Sequence, residues 1–444
     1  MSQFIYNQLL RLLLPLLLLR LKRKSKKQPE YGFRWDERLG KSDIKVEANG
    51  VLFHLASLGE TIAATPIIEA FINNNPDTAV TITSTTPTGS EQIKQTFGNR
   101  VTHCYLPFDL PIIQRRFIDQ IKPSLLVLME TELWPNLIRH AKRSGAQVMV
   151  INARLSERSA KGYKKFAPLT RLMMQNIDLV CAQFQADKLR FHQLGCHRHK
   201  IIKTGNIKFD TTCSSLQSEE TLKLSQELQL NRPVWLAAST HKGEEEEILK
   251  AHESLLEQIP DALLILVPRH PDRFDQVYNL TRKTFTCSRR SKLIRNKKLR
   301  TNCEVLIGDS LGEMMTYIGL SDIVFVGGSL VERGGHNPFE AACQNKAIIT
   351  GQHIFNFEQS YQILAEKSAV KMVNDATELA HHVTGLLCND ELRQALGRNA
   401  FECQLAFQGA QQKTLTYIQQ QHSLAKLRKT TEIAKNYTMQ KSLN

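Results

Sequence analysis

Short runs of consecutive apolar residues recur along the chain, each followed by a polar turn and a stretch with helical spacing. Val51–Ala56, Ala79–Thr83, Leu125–Met129, Val148–Asn152 and Leu179–Ala182 form a first series. Val234–Ala238, Leu263–Val267, Glu304–Ile307, Ile323–Val326 and Ala347–Thr350 form a second. Unbroken apolar strands alternating with helices predict parallel sheets covered on both faces. Two such series in tandem predict an α/β protein of two doubly wound, Rossmann-like domains facing a cleft. The ligand is then expected at the carboxyl ends of the strands. Residues 211–232 are polar and rich in Ser, Gln and Glu, and read as a hinge. The expected organisation is an anchor with a basic cluster at 1–27, domains at 28–212 and 233–405 joined by a linker at 213–232, and a helix followed by a basic tail over 406–444.

The amino terminus departs from this alternation. Phe4 to Leu21 is leucine-rich, interrupted by Asn7, Gln8, Arg11 and Pro15, and is followed by Arg20, Lys22, Arg23, Lys24, Lys26 and Lys27. As a helix it would extend roughly 27 Å against a hydrocarbon core of about 30 Å. A cleaved signal peptide places its charge before the apolar core, and this segment places it after. It reads as a short membrane anchor or an interfacial helix, with the cations on anionic headgroups at the cytoplasmic side; a buried core helix is the plainer alternative.

Charge changes the picture further. The 444 residues carry 58 Lys+Arg against 43 Asp+Glu, a net charge of +15, which points to anionic partners: nucleic acid, a phospholipid surface or phosphorylated substrates. Nine scattered cysteines without a Cys-x-x-Cys read as reduced thiols in a cytosolic body. His192, Cys196, His197 and His199 have metal-ligand chemistry at close spacing, but their stretch reads more simply as a basic loop after a helix.

The strand ends carry the candidate chemistry. Ser57-Leu58-Gly59-Glu60 follows the first strand and opens a helix, with Gly59 expected to permit a tight turn. Glu60 either complements the helix dipole or acts as a general base. Glu130 and Glu132 lie beside Trp134 at another strand end, where solvated acids are the alternative reading. Arg154 and Lys208 place cations at two more. In the second series, Ser239-Thr240-His241-Lys242-Gly243-Glu244, Pro268-Arg269-His270-Pro271, Gly308-Asp309-Ser310 and the glycine-rich stretches at Gly327-Gly328-Ser329 and Gly334-Gly335-His336 are polar loops on successive strand ends. Such loops predict an anion site. Asn337-Pro338-Phe339-Glu340 also has the composition of a plain helix start. The chain contains no Asp-x-Asp, Gly-x-Gly-x-x-Gly or Walker signature, so a metal-clamped sugar diphosphate, a dinucleotide or ATP is disfavoured and neither metal nor cofactor is expected.

The runs His54–Glu60, Met129–Asn136, Asn152–Leu155, Pro268–Pro271, Arg289–Ser291, Gly308–Glu313 and Gly327–Glu340 closely resemble the 3-deoxy-D-manno-octulosonic acid (Kdo) transferases of lipopolysaccharide assembly, over the chain from the leucine anchor to about residue 405. The resemblance implies a GT-B glycosyltransferase at the cytoplasmic face of the inner membrane. It would move Kdo from CMP-Kdo onto the acylated, phosphorylated lipid A precursor (lipid IVA), inverting the anomeric centre. It implies Glu60 as general base; Ser239, Thr240, Arg269, Gly328, Ser329, Asn337 and Glu340 as donor-binding; and Ser57, Gly59, Glu130, Glu132 and Lys208 as acceptor- or Kdo-facing. One departure is the strongly basic stretch 292–302, where a shorter, more neutral loop is expected. The competing classes are a GT-B transferase using a sugar nucleoside diphosphate, and a membrane-tethered nucleic-acid-binding protein. The second rests only on net charge and has no recognition motif behind it, so nucleic acid is not expected as a partner.

Overall fold

The computed structural model describes residues 2–41, 43–44, 46–210, 215–293, 299 and 301–442. Residues 213 and 214 of the expected linker, and most of the basic stretch 292–302, lie outside the described residues. The chain forms two compact units, Met1–Lys208 together with Gly409–Asn444, and Phe209–Gln408.

The first unit contains strands β1 (Val51–His54), β2 (Val80–Ser84), β3 (Thr102–Tyr105), β4 (Leu125–Met129), β5 (Gln147–Ala153), β6 (Leu179–Ala182) and β7 (Ile201–Lys203). They form one parallel sheet in the order β3-β2-β1-β4-β5-β6-β7, with Val51 paired to Val80 on one side and to Leu125 on the other. The second unit contains β8 (Val234–Thr240), β9 (Leu263–Pro268), β10 (Cys287–Arg289), β11 (Val305–Ile307), β12 (Ile323–Val326), β13 (Ala347–Thr350) and β14 (Lys371–Met372). Its parallel sheet runs β10-β11-β9-β8-β12-β13-β14. The expected α/β class with two doubly wound units is therefore present. Helices cover both faces, which is why Leu52 and Phe53, adjacent on β1, are both fully buried, one in each of two core clusters.

Each sheet reverses its winding at one place, between β1 and β4 in the first unit and between β8 and β12 in the second. Loops leaving neighbouring strands in opposite directions open a crevice at the carboxyl ends there. Both sheets are irregular close to these ends, at Val150/Ala153 on β5 and Ala238/Thr240 on β8. Each irregularity holds a residue with left-handed backbone, Asn152 at φ 48° and Ser239 at φ 56°. Bulges of this kind re-aim side chains.

Several elements differ from the sequence reading. The hinge stretch contains a helix, Ser215–Leu228, with Leu224 and Leu228 buried. The final helix Ala410–Ser442 returns to the first unit, placing Ala410, Leu415 and Ile418 in its core and the His422 ring edge-on to Phe71. The amino-terminal helix Gln3–Lys27 runs through Pro15. By length and composition alone its stretch Gln3–Lys26 is sufficient to cross a membrane.

Candidate active site

The first unit gathers carboxylates at its switch point. Ser57 caps the helix Leu58–Asn74, and its Oγ accepts the Glu60 amide (3.3 Å) while donating to Glu60 Oε1 (3.0 Å). The Ala56 N–H donates to Glu60 Oε2 at 2.9 Å, drawing the carboxylate back over the end of β1. Glu60 is only 8% exposed. Burial pushes its pKa up to about 7, aided by the negative charges of Glu130 and Glu132 and opposed by the Ala56 and Ser57 hydrogen bonds. Glu130 has left-handed backbone at φ 54° and pairs with Lys208 Nζ at 2.6 Å. Glu132 accepts the Trp134 indole N–H at 2.9 Å, and one of its oxygens lies 3.5 Å from His54 Nε2. Burial opposes ionisation of Glu132, but His54 and Trp134 outweigh it and hold the carboxyl below its usual range.

The tight turn expected of Gly59 is not there. Gly59 lies inside the first helical turn without positive φ, and a Cβ added to it would meet nothing within 4 Å. It leaves open space at the start of that helix. Two residues were not singled out from the sequence. His54 is fully buried and bonded through Nδ1 to Thr83 Oγ1 (3.0 Å); its signal was a polar residue closing an otherwise apolar strand. Asn152 accepts the Ile207 amide at 3.1 Å while its Nδ2 is buried without a partner, an unused donor at the end of β5. Arg154, beyond it, is exposed.

The second unit gathers an arginine and three histidines. Arg269 is exposed and makes no ion pair among the described residues. His241 and His336 stack with Nε2 atoms 3.0 Å apart, and His270 meets His241 edge-on at 5.3 Å. Burial, then the neighbouring histidines and arginines, pushes both His241 and His336 down to about 4, so they are neutral near pH 7. Burial pushes the Glu340 carboxyl up, against Asn337 and the positive charge of Arg269. This histidine group also escaped the sequence reading, although each member lay inside a loop that reading had marked.

The anion cradle expected at the glycine-rich loop is corrected. The amides of Gly328 (2.7 Å), Ser329 (2.9 Å) and Leu330 (3.0 Å) all donate to the buried Glu244 carboxylate, as does His241 N–H (2.9 Å). The protein's own side chain fills the cradle, and no helix opens after it. Ser329 Oγ donates to Val326 O (2.7 Å) and accepts from Gly351 N–H (2.8 Å), and Thr240 donates to Glu245 (3.0 Å), itself paired with Arg273. At Gly334 the chain itself comes close, since a Cβ there would lie 2.4 Å from Asn356. The helix after Asn337 is one turn, Phe339–Ala342, capped by Pro338, and the Asn337 side chain instead accepts the Phe339 amide at 3.1 Å. Asp309 is likewise committed, to Arg289 and Ser291.

Among the described residues, no group of three or more His, Cys, Asp or Glu side chains is placed to hold a metal ion. In the loop weighed as a metal site, His192 Nδ1 is bonded to the Cys196 carbonyl and its Nε2 accepts from Arg198.

Residues 33–211 match the family described as 3-deoxy-D-manno-octulosonic-acid transferase (kdotransferase), and residues 239–402 match glycosyl transferases group 1. A 3-deoxy-D-manno-octulosonic acid transferase of Haemophilus influenzae is 42% identical over 94% of this chain and 98% of its own length. One from Bordetella pertussis is 31% identical over 94% and 99%. The crystal structure of a UDP-GlcNAc 2-epimerase from Neisseria meningitidis superposes with a TM-score of 0.57 at 15% identity, over 84% of this chain and all of that one, a likeness of fold.

Proposed function

The chain belongs to the 3-deoxy-D-manno-octulosonic acid transferases, and from that premise we propose that it transfers Kdo from CMP-Kdo to a hydroxyl of the lipid A precursor at the cytoplasmic face of the inner membrane, with Glu60 as general base. The observation that carries this reading is the state of Glu60. It is a buried carboxylate at the β1/β4 switch point, held by one amide and one hydroxyl, with a pKa raised to about 7. A base is most effective when its pKa lies near the working pH.

In this scheme Glu60 takes the proton of the acceptor hydroxyl as its oxygen attacks the anomeric carbon of Kdo. The bond from that carbon to the phosphate oxygen breaks, CMP leaves with the electron pair, and attack from the opposite face inverts the centre. Glu132, kept ionised by His54 and Trp134, and Lys208, paired with Glu130, orient the acceptor or the Kdo carboxylate around the space left by Gly59 and Ser57.

In the second unit, exposed Arg269 receives the donor phosphate, and Glu340 and Asn337 take the ribose side of the nucleotide. Ser239, at the β8 irregularity with left-handed backbone, contacts the donor directly in this reading. Thr240, Gly328 and Ser329 act by fixing the loops that present these groups. The leucine-rich helix and its basic successor hold the enzyme on the phospholipid surface.

Mass spectrometry of the product formed from CMP-Kdo and the lipid A precursor tests the proposal. A mass gain of one or more Kdo units is expected. Turnover only with sugar nucleoside diphosphates would overturn it.

A further inference from the structure

The amino-terminal helix is held to the first unit through one polar stripe. Gln3 Nε2–H donates to Asn136 Oδ1, Asn136 Nδ2–H donates to Asn7 Oδ1, and the Tyr6 hydroxyl donates to Asp109, each at 2.9 Å. The opposite face leaves Phe4, Leu12 and Leu16 exposed at 69%, 74% and 61%. Of the polar residues that interrupt the apolar span, Asn7 is thus part of the attachment of a helix whose other side needs an apolar surrounding, while Gln8 and Arg11 bond each other.

The second half of the helix lines a cavity of about 400 Å³. Its walls are apolar, with Leu17 and Leu21 from the helix against Leu106, Phe108 and Trp134 from the unit. Arg20 and Lys24 stand at the exposed side, and Arg38 lies in the wall. Arg38 is 6% exposed, and its guanidinium lies 3.9 Å from the Tyr105 ring centroid. Its Nη2 donates to the Thr85 carbonyl at 3.0 Å, but its Nε is buried without a partner, and it makes no ion pair among the described residues. Beyond the Tyr105 ring and the more distant charge of Glu37 it has no ionic partner among the described residues; a buried cation so placed is costly to keep, and an anion in the cavity would relieve that cost. Asp109, the acid in the same wall, is pushed up to about 7 by burial, and its oxygens accept the Asn136 and Leu137 amides and the Tyr6 hydroxyl.

We infer that this cavity binds a phosphate-bearing acyl lipid, with the phosphate on Arg38 and an acyl chain between the helix and the Phe108–Trp134 wall. The volume suits one part of a lipid rather than a whole one. The cavity adjoins the carboxylate site through two residues. Thr85 donates to the Ala56 carbonyl at 2.7 Å, the residue whose amide holds Glu60, and Trp134 donates to Glu132. A phosphorylated acceptor lodged here would present its sugar beside those groups, so the inference rests on the lipid-acceptor reading above. A bilayer phospholipid offers the same chemistry.

The test is calorimetric titration of the full chain in neutral detergent with dihexanoyl phosphatidic acid, without donor. Arg38→Gln is expected to weaken binding at least about tenfold, because one charge-assisted contact is lost. Leu21→Trp, which fills the cavity and keeps Arg38, is expected to weaken it similarly and covers the case in which the arginine variant fails to fold. Equal affinity for dihexanoylglycerol would remove the phosphate from the inference, and equal affinity for inorganic phosphate would remove the lipid. Unchanged affinity in both variants would overturn it altogether. Tighter binding of the lipid A precursor than of phosphatidic acid would identify the acceptor as the source, and the reverse order a bilayer lipid; either supports the site. Glu60→Gln is expected to bind the probe normally, so failure of the cavity and failure of the base assignment are separable.

Discussion

Glu60 and Glu244 occupy corresponding places in the two units, each just beyond the strand at which the sheet reverses, and they have different surroundings. Glu244 receives four backbone amides, so its lone pairs are committed to holding the Gly328–Leu330 loop. Glu60 receives one amide and one hydroxyl and stands within the field of two further carboxylates. Burial raises both pKa values, yet Glu60 accepts two hydrogen bonds from other residues where Glu244 accepts four. A shared architecture therefore fixes where a carboxylate sits, and the number of donors around it decides how far its oxygens are committed to holding the fold. The rest of each site follows the same division, with acids gathered in the first unit and arginines with neutral histidines in the second.

The sharpest test exchanges oxygen for nitrogen at Glu60. Glu60→Gln is expected to lower the transfer rate by about 10²–10⁴-fold, the range for loss of a general base, with donor binding and the fold retained. Retained activity would move the base elsewhere. In the intact enzyme the rate should fall about tenfold per pH unit below about 7 and level off above it, because the base must be ionised. The stability effect has the opposite sign. A carboxyl raised from 4.5 to about 7 in the folded state ionises more readily when unfolded, so its contribution declines as pH rises through that window. The melting temperature of the Gln variant should therefore gain on that of the parent between those pH values, and a parallel pair of curves would contradict the assigned shift.

Arg269→Gln addresses the cationic side. It is expected to raise the KM for CMP-Kdo by about 10–100-fold with a smaller change in kcat, since one charge-assisted phosphate contact is lost. An unchanged KM would transfer the phosphate to another cation of the second unit.

Much of this was legible in the sequence because buried parallel strands read as continuous apolar runs. The interior strands Leu125–Met129, Leu179–Ala182, Ile323–Val326 and Ala347–Thr350 were located to the residue. The strands missing from those runs, β3 (Thr-His-Cys-Tyr), β7 (Ile-Ile-Lys), β10 (Cys-Ser-Arg) and β14 (Lys-Met), are all sheet edges, where one-sided pairing removes the need for a long apolar run. At the sites, residue types were legible and their commitments were not. Nothing in Gly327-Gly328-Ser329 announces that its amides are taken by Glu244, because that bond joins residues 84–86 positions apart. The stacking of His241 on His336 is hidden for the same reason, with 95 positions between them.

Glu244→Gln tests the structural side of the comparison. The amide group can accept from two of the four N–H donors but turns its own donors towards the others. A loss of about 1–3 kcal/mol in stability is expected, readable by denaturant unfolding. Activity should fall only as far as the loop loosens. A variant of normal stability and abolished turnover would make Glu244 a second reactive carboxylate and dissolve the contrast with Glu60.

The smallest effects are the most discriminating, because they carry a sign. Lys208 pairs with Glu130 at 2.6 Å, and the Glu130 charge is one of those that raise Glu60. Removing the cation by Lys208→Met leaves more uncompensated negative charge near Glu60 and should move the acid limb of the rate profile upward, by less than about one pH unit. Removing the charge itself by Glu130→Gln should move the same limb downward by a comparable amount. Both variants lose the same ion pair, so a purely structural role for it would displace the two profiles together. Opposite displacements would place Glu130 and Lys208 in the electrostatic field of the base, and identical ones would confine them to the fold.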